Sequence, residues 1–573
     1  MEYRNGGLRQ GTIPVLEPGS GGALRTVARR RHPSAGPCAL RNSSSAGLGS
    51  ALVASSGVRA LLSVHDKTGL EELATGLTAL GVELVASGGT AKALEAAGID
   101  HAEVAKITGV PEMLGGRVKT LHPAIHAGIL ADRSIQSHLE DLAAQDITAI
   151  DLVVCNLYPF ETQPCVEMMD VGGPTMIRAA AKNCAYVTVV VHPGDYGVVL
   201  DELRRDGVVG DRTRRRLARA AFAHTAAYDA AIVRWLDETG PDAQDGADPL
   251  PETLHLVLER AKELRYGENP HQQAALFRAR GNPTGWWEGA VQHGGRELSY
   301  LNLLDAEAAW QLAYELVGPD GLSFGGGLAA VVIVKHTNPC GAAIAEDLAT
   351  AYGRALEGDP VSAFGGIAAL SGRVDETLAE QIVEGPLADL LIAPAFDDGA
   401  LARFAAQRKN MRVIAAPFPA RVRLSLRQID GGFLVQERDR FRSAPENWRV
   451  ATRIAPTEQQ WRDLELAWRV CGLTSSNAIV LAYGGQIVGI GCGQQNRVDA
   501  AGLAGRKAAG RAQGGAGASD AFFPFRDGLD AMIDAGVTAV VQPGGSLRDH
   551  EVIAAADERG ISMVLAGERH FRH

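Results

Sequence analysis

The chain has 573 residues, 46% hydrophobic and 21% charged, with a net charge of -11, so it is too long for one ordinary core and is expected to divide into about two to four domains. No apolar run approaches the roughly 20 residues that cross a bilayer, and the acidic balance argues against a general nucleic-acid binder. The 7 cysteines are odd in number and widely scattered, so they make no disulfide framework and point to a reducing compartment.

Residues 1–56 are rich in Gly, Ser, Ala and Arg, include Arg29-Arg30-Arg31, and carry only Glu2 and Glu17 as acids. Without apolar periodicity the segment has no core of its own. It reads as a disordered or non-native extension, outside the fold, with an organellar transit peptide as the alternative. Order is expected from Arg59. A strand over residues 60–64 precedes the polar turn His65-Asp66-Lys67-Thr68-Gly69 and a helix over 70–80. A second strand over 82–86 precedes the turn Ser87-Gly88-Gly89-Thr90 and a helix over 91–97. Strand, glycine-bearing turn and helix recurring at this spacing predict a parallel α/β sheet. Further strands over 151–155 and 186–191, and a helix over 211–236, complete the unit. The Pro-, Gly- and acid-rich stretch 238–251 marks the boundary, giving domains at 57–250 and 251–573. The second domain alternates again, with strands over 330–334, 366–370, 478–482, 487–491 and 537–541, and is long enough for two subdomains.

Two turns at the ends of adjacent parallel strands would lie together at the carboxyl edge of the sheet, where open α/β folds bind ligands. Paired glycines let backbone N–H groups approach a phosphate, although a plain helix start carries the same residues, and no Walker A pattern is present. Gly115-Gly116-Arg117-Val118-Lys119-Thr120-Leu121-His122-Pro123 is more specific, with Pro123 expected to prevent a helix. Together with Ser-Val-His-Asp-Lys-Thr-Gly at 63–69, Cys155-Asn156-Leu157-Tyr158-Pro159-Phe160, Asp170-Val171-Gly172-Gly173 and Arg178-Ala179-Ala180-Ala181-Lys182-Asn183, this stretch resembles the IMP cyclohydrolase domain of the bifunctional purine-biosynthesis enzymes. The resemblance implies a methylglyoxal-synthase-like parallel α/β domain. It also implies that Ser63, Lys67, Ser87, Gly89, Thr90, Arg117, Thr120 and Asn156 hold the nucleotide. Lys119, Tyr158, Asp170 and Lys182 are then the groups for oxyanion stabilisation and proton transfer. The sequence departs from the family at His65, where a small polar residue is usual, and in the short segment 161–169 before Asp170.

In the second domain Lys335-His336 ends a buried strand, and Asn338-Pro339 is expected to force a turn after it. Histidine suits proton removal from an amine at neutral pH. Leu264-Arg265-Tyr266-Gly267-Glu268-Asn269-Pro270-His271-Gln272, Gly358-Asp359-Pro360-Val361-Ser362-Ala363-Phe364-Gly365-Gly366, Gly491-Cys492-Gly493-Gln494-Gln495-Asn496-Arg497-Val498 and Ser519-Asp520-Ala521-Phe522-Phe523-Pro524-Phe525 extend the resemblance to the family's AICAR formyltransferase domain, a duplicated cytidine-deaminase-like fold. That implies His336 as base, Lys335 at the oxyanion and Asn477 orienting the reactants. It assigns Arg265, Tyr266, Arg497, Arg569 and His573 to AICAR, and Phe522 and Asp527 to the folate. The co-substrate implied is 10-formyltetrahydrofolate, without a catalytic metal, because Pro339-Cys340-Gly341-Ala342-Ala343 lacks the second thiolate of a zinc deaminase. A structural monovalent cation is left open. Cys340 reads as a packing residue.

The resemblance implies a cytosolic homodimer whose transformylase sites draw on both chains, acting on AICAR, formyl-AICAR, IMP and folate, with neither nucleic acid nor membrane as partner. Two alternatives stand beside it. One is a regulatory nucleotide-binding module; the other is a transformylase with an inactive cyclohydrolase domain that only binds nucleotide.

Overall fold

The computed structural model describes residues 57–240, 250–281, 283–324 and 326–573; the reading of residues 1–56, and most of the expected linker, lie outside them. Residues Arg59–His573 form one compact unit. Its first sheet contains β1 (Arg59–Val64), β2 (Glu83–Ala86), β3 (Ala102–Glu103), β4 (Leu152–Asn156) and β5 (Thr188–Val190). The order is β3-β2-β1-β4-β5, and every pairing is parallel. Alternate residues of β1 serve two cores: Ala60, Leu62 and Val64 meet Leu73 and Leu77 on one face. Leu61 meets Ile125, Ile177 and Ala221 on the other. Burial on both faces explains why residues 60–62 are a continuous apolar run rather than alternating. Strand order reverses between β1 and β4, which creates a crevice at their carboxyl ends. Register pairs Ser63 with Cys155 and Val64 with Asn156, so both strands deliver their last residues to that crevice.

Three local expectations are corrected. The helix expected at 91–97 begins at Gly88, with Ser87 in extended geometry before it. Pro123 does not prevent a helix but opens the one at Pro123–Leu130, while His122 accepts the Ala124 N–H through its ring. Proline is tolerated there because the first helical N–H has no intrahelical acceptor. Asn338-Pro339 does not form the turn after Lys335. His336 and Thr337, both at positive φ, make a two-residue hairpin turn of the kind that matches strand twist, and Asn338 and Pro339 open the next strand.

The rest of the chain supplies β6 (Leu258–Leu264), β7 (Ala274–Ala279), β8 (Val291–Gly294), β9 (Ala329–Lys335), β10 (Asn338–Ala345), β11 (Ile367–Leu370), β12 (Leu390–Ala393), β13 (Arg412–Ala415), β14 (Leu424–Ile429), β15 (Gly432–Glu437), β16 (Arg449–Val450), β17 (Ile479–Tyr483), β18 (Gln486–Gly491), β19 (Ala516–Ser519), β20 (Ala539–Gln542) and β21 (Ser562–Leu565). β6–β7 and β14–β15 are separate hairpins. The others form a 12-stranded sheet in the order β16-β21-β20-β19-β17-β18-β10-β9-β11-β12-β13-β8.

That order contains one unit twice. An antiparallel pair (β9 with β10, β17 with β18) is flanked by an antiparallel neighbour (β11, β19). Two parallel strands follow (β12 and β13, β20 and β21), and a short antiparallel strand (β8, β16) closes each edge. The halves meet antiparallel at β10 and β18, where Ala343 faces Gln486. The helices Tyr300–Val317 and Glu458–Gly472 each start with a capping box, on Ser299 and Thr457. They share one core on one face of the sheet, built around the fully buried Trp310 and Trp468. Burying side chains of this size contributes roughly 2–3 kcal/mol each, so the shared core welds the halves together.

Candidate functional site

The crevice at the ends of β1 and β4 is closed by backbone clamps. Asn156 Oδ1 accepts the N–H groups of His65 (2.6 Å) and Asp66 (2.8 Å), and its Nδ2 donates to Asp66 O (3.2 Å). Thr90 Oγ1 accepts from Val64 N at 3.0 Å and donates to Val64 O at 3.1 Å. Lys67 Nζ donates to Val64 O and, at 3.4 Å, to His65 O; burial lowers its pKa. Thr90, 3% exposed, and Asn156 therefore shape the cradle through their bonds to its backbone. Ser87 and Gly89 stand at the start of the helix Gly88–Ala96, whose first N–H groups face the same edge.

Lys119 reaches this edge through space that two glycines leave open. A Cβ on Gly88 would lie 2.8 Å from Lys119 Nζ, and one on Gly116 would lie 2.8 Å from Lys119 Cε. Glu112 sits 3.8 Å from the ammonium. Thr120 Oγ1 would be 3.1 Å from a Cβ on Gly172, so Thr120 lies against the first turn of the helix Gly172–Lys182. Asp170 occupies that same helix start: its Oδ1 accepts from Gly173 N at 2.9 Å. Burial raises its pKa, opposed by the N–H groups of Gly173 and Gly172 and by Lys119. Tyr158, at the exit of β4, has its pKa raised by burial and by Asp170, and the His65 ring stands edge-on to it at 5.4 Å. Lys119, Tyr158, Asp170 and Thr120 are thus assembled from distant segments into one cluster. Arg117 turns to solvent and pairs with Glu167. Lys182 is exposed at the carboxyl end of the helix that begins at Gly172, about 15 Å from its start at 1.5 Å per residue, so this chain does not bring its backbone to the cluster.

A second cluster forms around the β9–β10 turn. Asp305 Oδ1 accepts Thr337 N at 2.7 Å. Its carboxyl pKa is raised by burial and lowered by the Thr337 N–H and by His336. Lys335 Nζ donates to Phe364 O at 2.7 Å. Asn338 Oδ1 accepts Ser475 N at 2.9 Å, which ties this turn to the other half of the sheet. There Asn477 Nδ2 donates to Gln494 O at 2.9 Å. Arg497 donates to Ser519 Oγ (3.2 Å) and to the fully buried Asp520 (3.0 Å). Asp520 also accepts from Ser476 Oγ, and burial raises its pKa. The C-terminal segment closes on the same place: Arg572 O accepts Ser476 N at 2.9 Å, and Asp520 O accepts His570 N at 3.2 Å. Arg569 stacks over Phe571 at 4.4 Å, and Phe571 meets the ring of His573 at 5.5 Å.

Phe522 is partly exposed beside Asp520, and Asp527 lies in the first turn of Arg526–Asp534, accepting Gly528 N at 2.7 Å. Arg265 and Tyr266 stand after β6 and pair with each other, at 3.1 Å and ring-to-guanidinium; no contact joins them to Lys335 or His336 among the described residues. Cys340 is buried, with its thiol pushed up to about 12, in keeping with a packing role. No group of three or more His, Cys, Asp or Glu is arranged to hold a metal among the described residues. No described helix is long and apolar enough to cross a membrane.

Sequence reasoning missed Tyr228, Asp305 and Asp520 as supporting groups, because each acts on residues brought near only by folding. A family model described as AICARFT/IMPCHase bienzyme matches residues 180–507, and one described as MGS-like domain matches residues 69–183. A solved structure titled "Crystal structure of ForH" is 40% identical, with coverage of 31% of this chain and 98% of that chain and a TM-score of 0.29. Matched over more than half its length by the first model, the chain belongs to the AICARFT/IMPCHase bienzyme family of bifunctional formyltransferase and cyclohydrolase enzymes of purine biosynthesis.

Proposed function

We propose that the protein performs the last two steps of de novo IMP synthesis. The 5-amine of AICAR takes a formyl group from 10-formyltetrahydrofolate, giving formyl-AICAR and tetrahydrofolate, and formyl-AICAR then closes to IMP with loss of water. The observation that carries this reading is the presence of two separate acid–base clusters, one around Lys119 and Asp170 and one around Lys335 and His336.

In the first reaction the aromatic amine is a weak nucleophile. His336 removes its proton as nitrogen attacks the formyl carbon, and Lys335 steadies the tetrahedral oxyanion. The intermediate collapses by expelling the folate nitrogen, which takes up a proton. Asn477, Arg497, Arg569 and His573 surround the nucleotide, and Phe522 and Asp527 the folate-type co-substrate. In the second reaction the carboxamide nitrogen attacks the formyl carbon. Asp170 accepts the attacking nitrogen's proton, while Lys119 and Tyr158 meet the developing alkoxide and protonate it; the hydroxyl then leaves as water as the former formamide nitrogen gives up its proton and the ring C=N bond forms. Ser63, Lys67, Ser87, Gly89 and Thr120 form the nucleotide cradle, and Arg117 joins it by exchanging Glu167 for the phosphate. Lys182, Arg265 and Tyr266 stand apart from their clusters within one chain. We assign them to sites completed by a second copy, in a homodimer working in the cytosol.

The two chemistries are separable. His336→Ala should abolish formyl transfer, by about 10²–10⁴-fold, and leave closure of supplied formyl-AICAR intact. Asp170→Asn should do the reverse. A single variant that removed both activities while the chain stayed folded would contradict the assignment of two sites.

A further inference from the structure

We infer that Tyr228 is a positioning residue for Asp170, a role that rests on the assignment of Asp170 to ring closure. Tyr228 projects from the long helix Asp211–Thr239, far along the chain from the loop it grips. Its hydroxyl donates to Met168 O and accepts the backbone N–H of Asp170 at 2.9 Å, holding both ends of the Met168–Asp170 segment with one oxygen. The residue is 8% exposed, and its ring meets Phe160 edge-on at 6.0 Å. Phe160 in turn packs on Trp235 at 5.8 Å, so the phenol cannot follow the loop if the loop moves.

Asp170 has little tolerance for such movement. A Cβ on Gly173 would collide with Asp170 Oδ2, and one on Gly172 would press on Thr120 Oγ1, so the carboxylate lies directly against the helix start. The segment before it, 161–169, includes the exposed Cys165, Val166 and Glu167, and the short helix Val166–Met168 buries none of its side chains. Met168 and Met169 pack part-buried against the core, but the exposed residues before them leave the loop's backbone to be fixed by hydrogen bonds. The Tyr228 hydroxyl supplies a fixed reference from the core, and it sets where the carboxylate stands relative to Lys119 and Tyr158. A displacement of about 1 Å at a reacting group costs on the order of 10²-fold in rate.

Tyr228→Phe keeps the ring and removes only the two hydrogen bonds. With formyl-AICAR as substrate and the full chain, it should lower kcat for ring closure about 10- to 100-fold, with KM within about twofold, and leave formyl transfer unchanged. The pH profile gives a readout that packing alone would not move. Lys119, Tyr158, Tyr228 and Cys155 are the titratable groups that face Asp170. Releasing the loop hydrates the carboxyl, so the limb that Asp170 sets should move to lower pH. An unchanged kcat in Tyr228→Phe overturns the inference. An unchanged kcat in Asp170→Asn overturns the assignment beneath it, so the two failures are told apart. Intact formyl transfer in the same sample reports that each variant is folded.

Discussion

At the scale of single residues, the first site depends on what is absent as much as on what is present. Gly88 adopts φ +53, a left-handed conformation that costs a residue with a Cβ roughly 1–2 kcal/mol, and Lys119 Nζ fills the space beside it. Gly88→Ala should therefore displace the ammonium and lower ring closure by at least about tenfold, at a stability cost of about 1–2 kcal/mol. Steady-state rates with formyl-AICAR and a denaturant midpoint check the two parts. The motif stretch 115–123 made Lys119 legible, because its residue types are unusual together. The role of the glycines around it was not legible, since a glycine pair reads equally as a helix start. Arg497 shows the opposite case. It was assigned to AICAR by resemblance, yet two of its nitrogens already engage Ser519 and Asp520. Its fork can hold a ligand only with the groups left over, or after those contacts rearrange.

At the scale of elements, the carboxyl edge of the first sheet was readable because strand, turn and helix repeat with a clear period, and a parallel sheet places such turns side by side. Two of the three errors came at prolines. Pro123 and Pro339 were both read as breaks, whereas Pro123 begins a helix and Pro339 lies in β10 after the true turn. In each case the local prohibition on a donor was right, and the position within the element decided its effect. Long-range supports were out of reach for the same reason that periodicity works: it describes neighbours, not partners. Arg412 in β13 is an example. Its side chain is 5% exposed and binds Asp389 at 2.7 Å and Glu297 O through two nitrogens at 3.2 Å. Asp389 is half-exposed and can rehydrate, so Arg412→Ala should cost about 1–3 kcal/mol, below the 3–5 typical of a fully buried pair. Chemical denaturation measures that difference. A change below about 0.5 kcal/mol would show that the network carries no stability.

At the scale of the molecule, the duplicated order of the 12-stranded sheet explains why the second cluster lies where the halves meet. Lys335 and His336 come from one half, Asn477 and Arg497 from the other, and the Asn338–Ser475 hydrogen bond bridges them. The sequence motifs named these residues but not their meeting, which needs the β10–β18 pairing. The first sheet's part of the chain is joined to the later part by an ion pair, Arg280 to Glu161 at 2.7 Å, and by a hydrogen bond from Arg234 to Arg280 O at 2.5 Å, while Arg280 also pairs with Glu259 at 3.2 Å within the later part. Glu161 lies just after Tyr158, and Glu259 lies in β6, the strand that leads to Arg265 and Tyr266. The two chemistries are therefore carried by one connected body of chain. The most direct test supplies the full chain with AICAR and 10-formyltetrahydrofolate and follows products by mass spectrometry. IMP with stoichiometric tetrahydrofolate is the predicted result. Formyl-AICAR accumulating without IMP would contradict the assignment of the first site, and no formylated product at all would contradict the account as a whole.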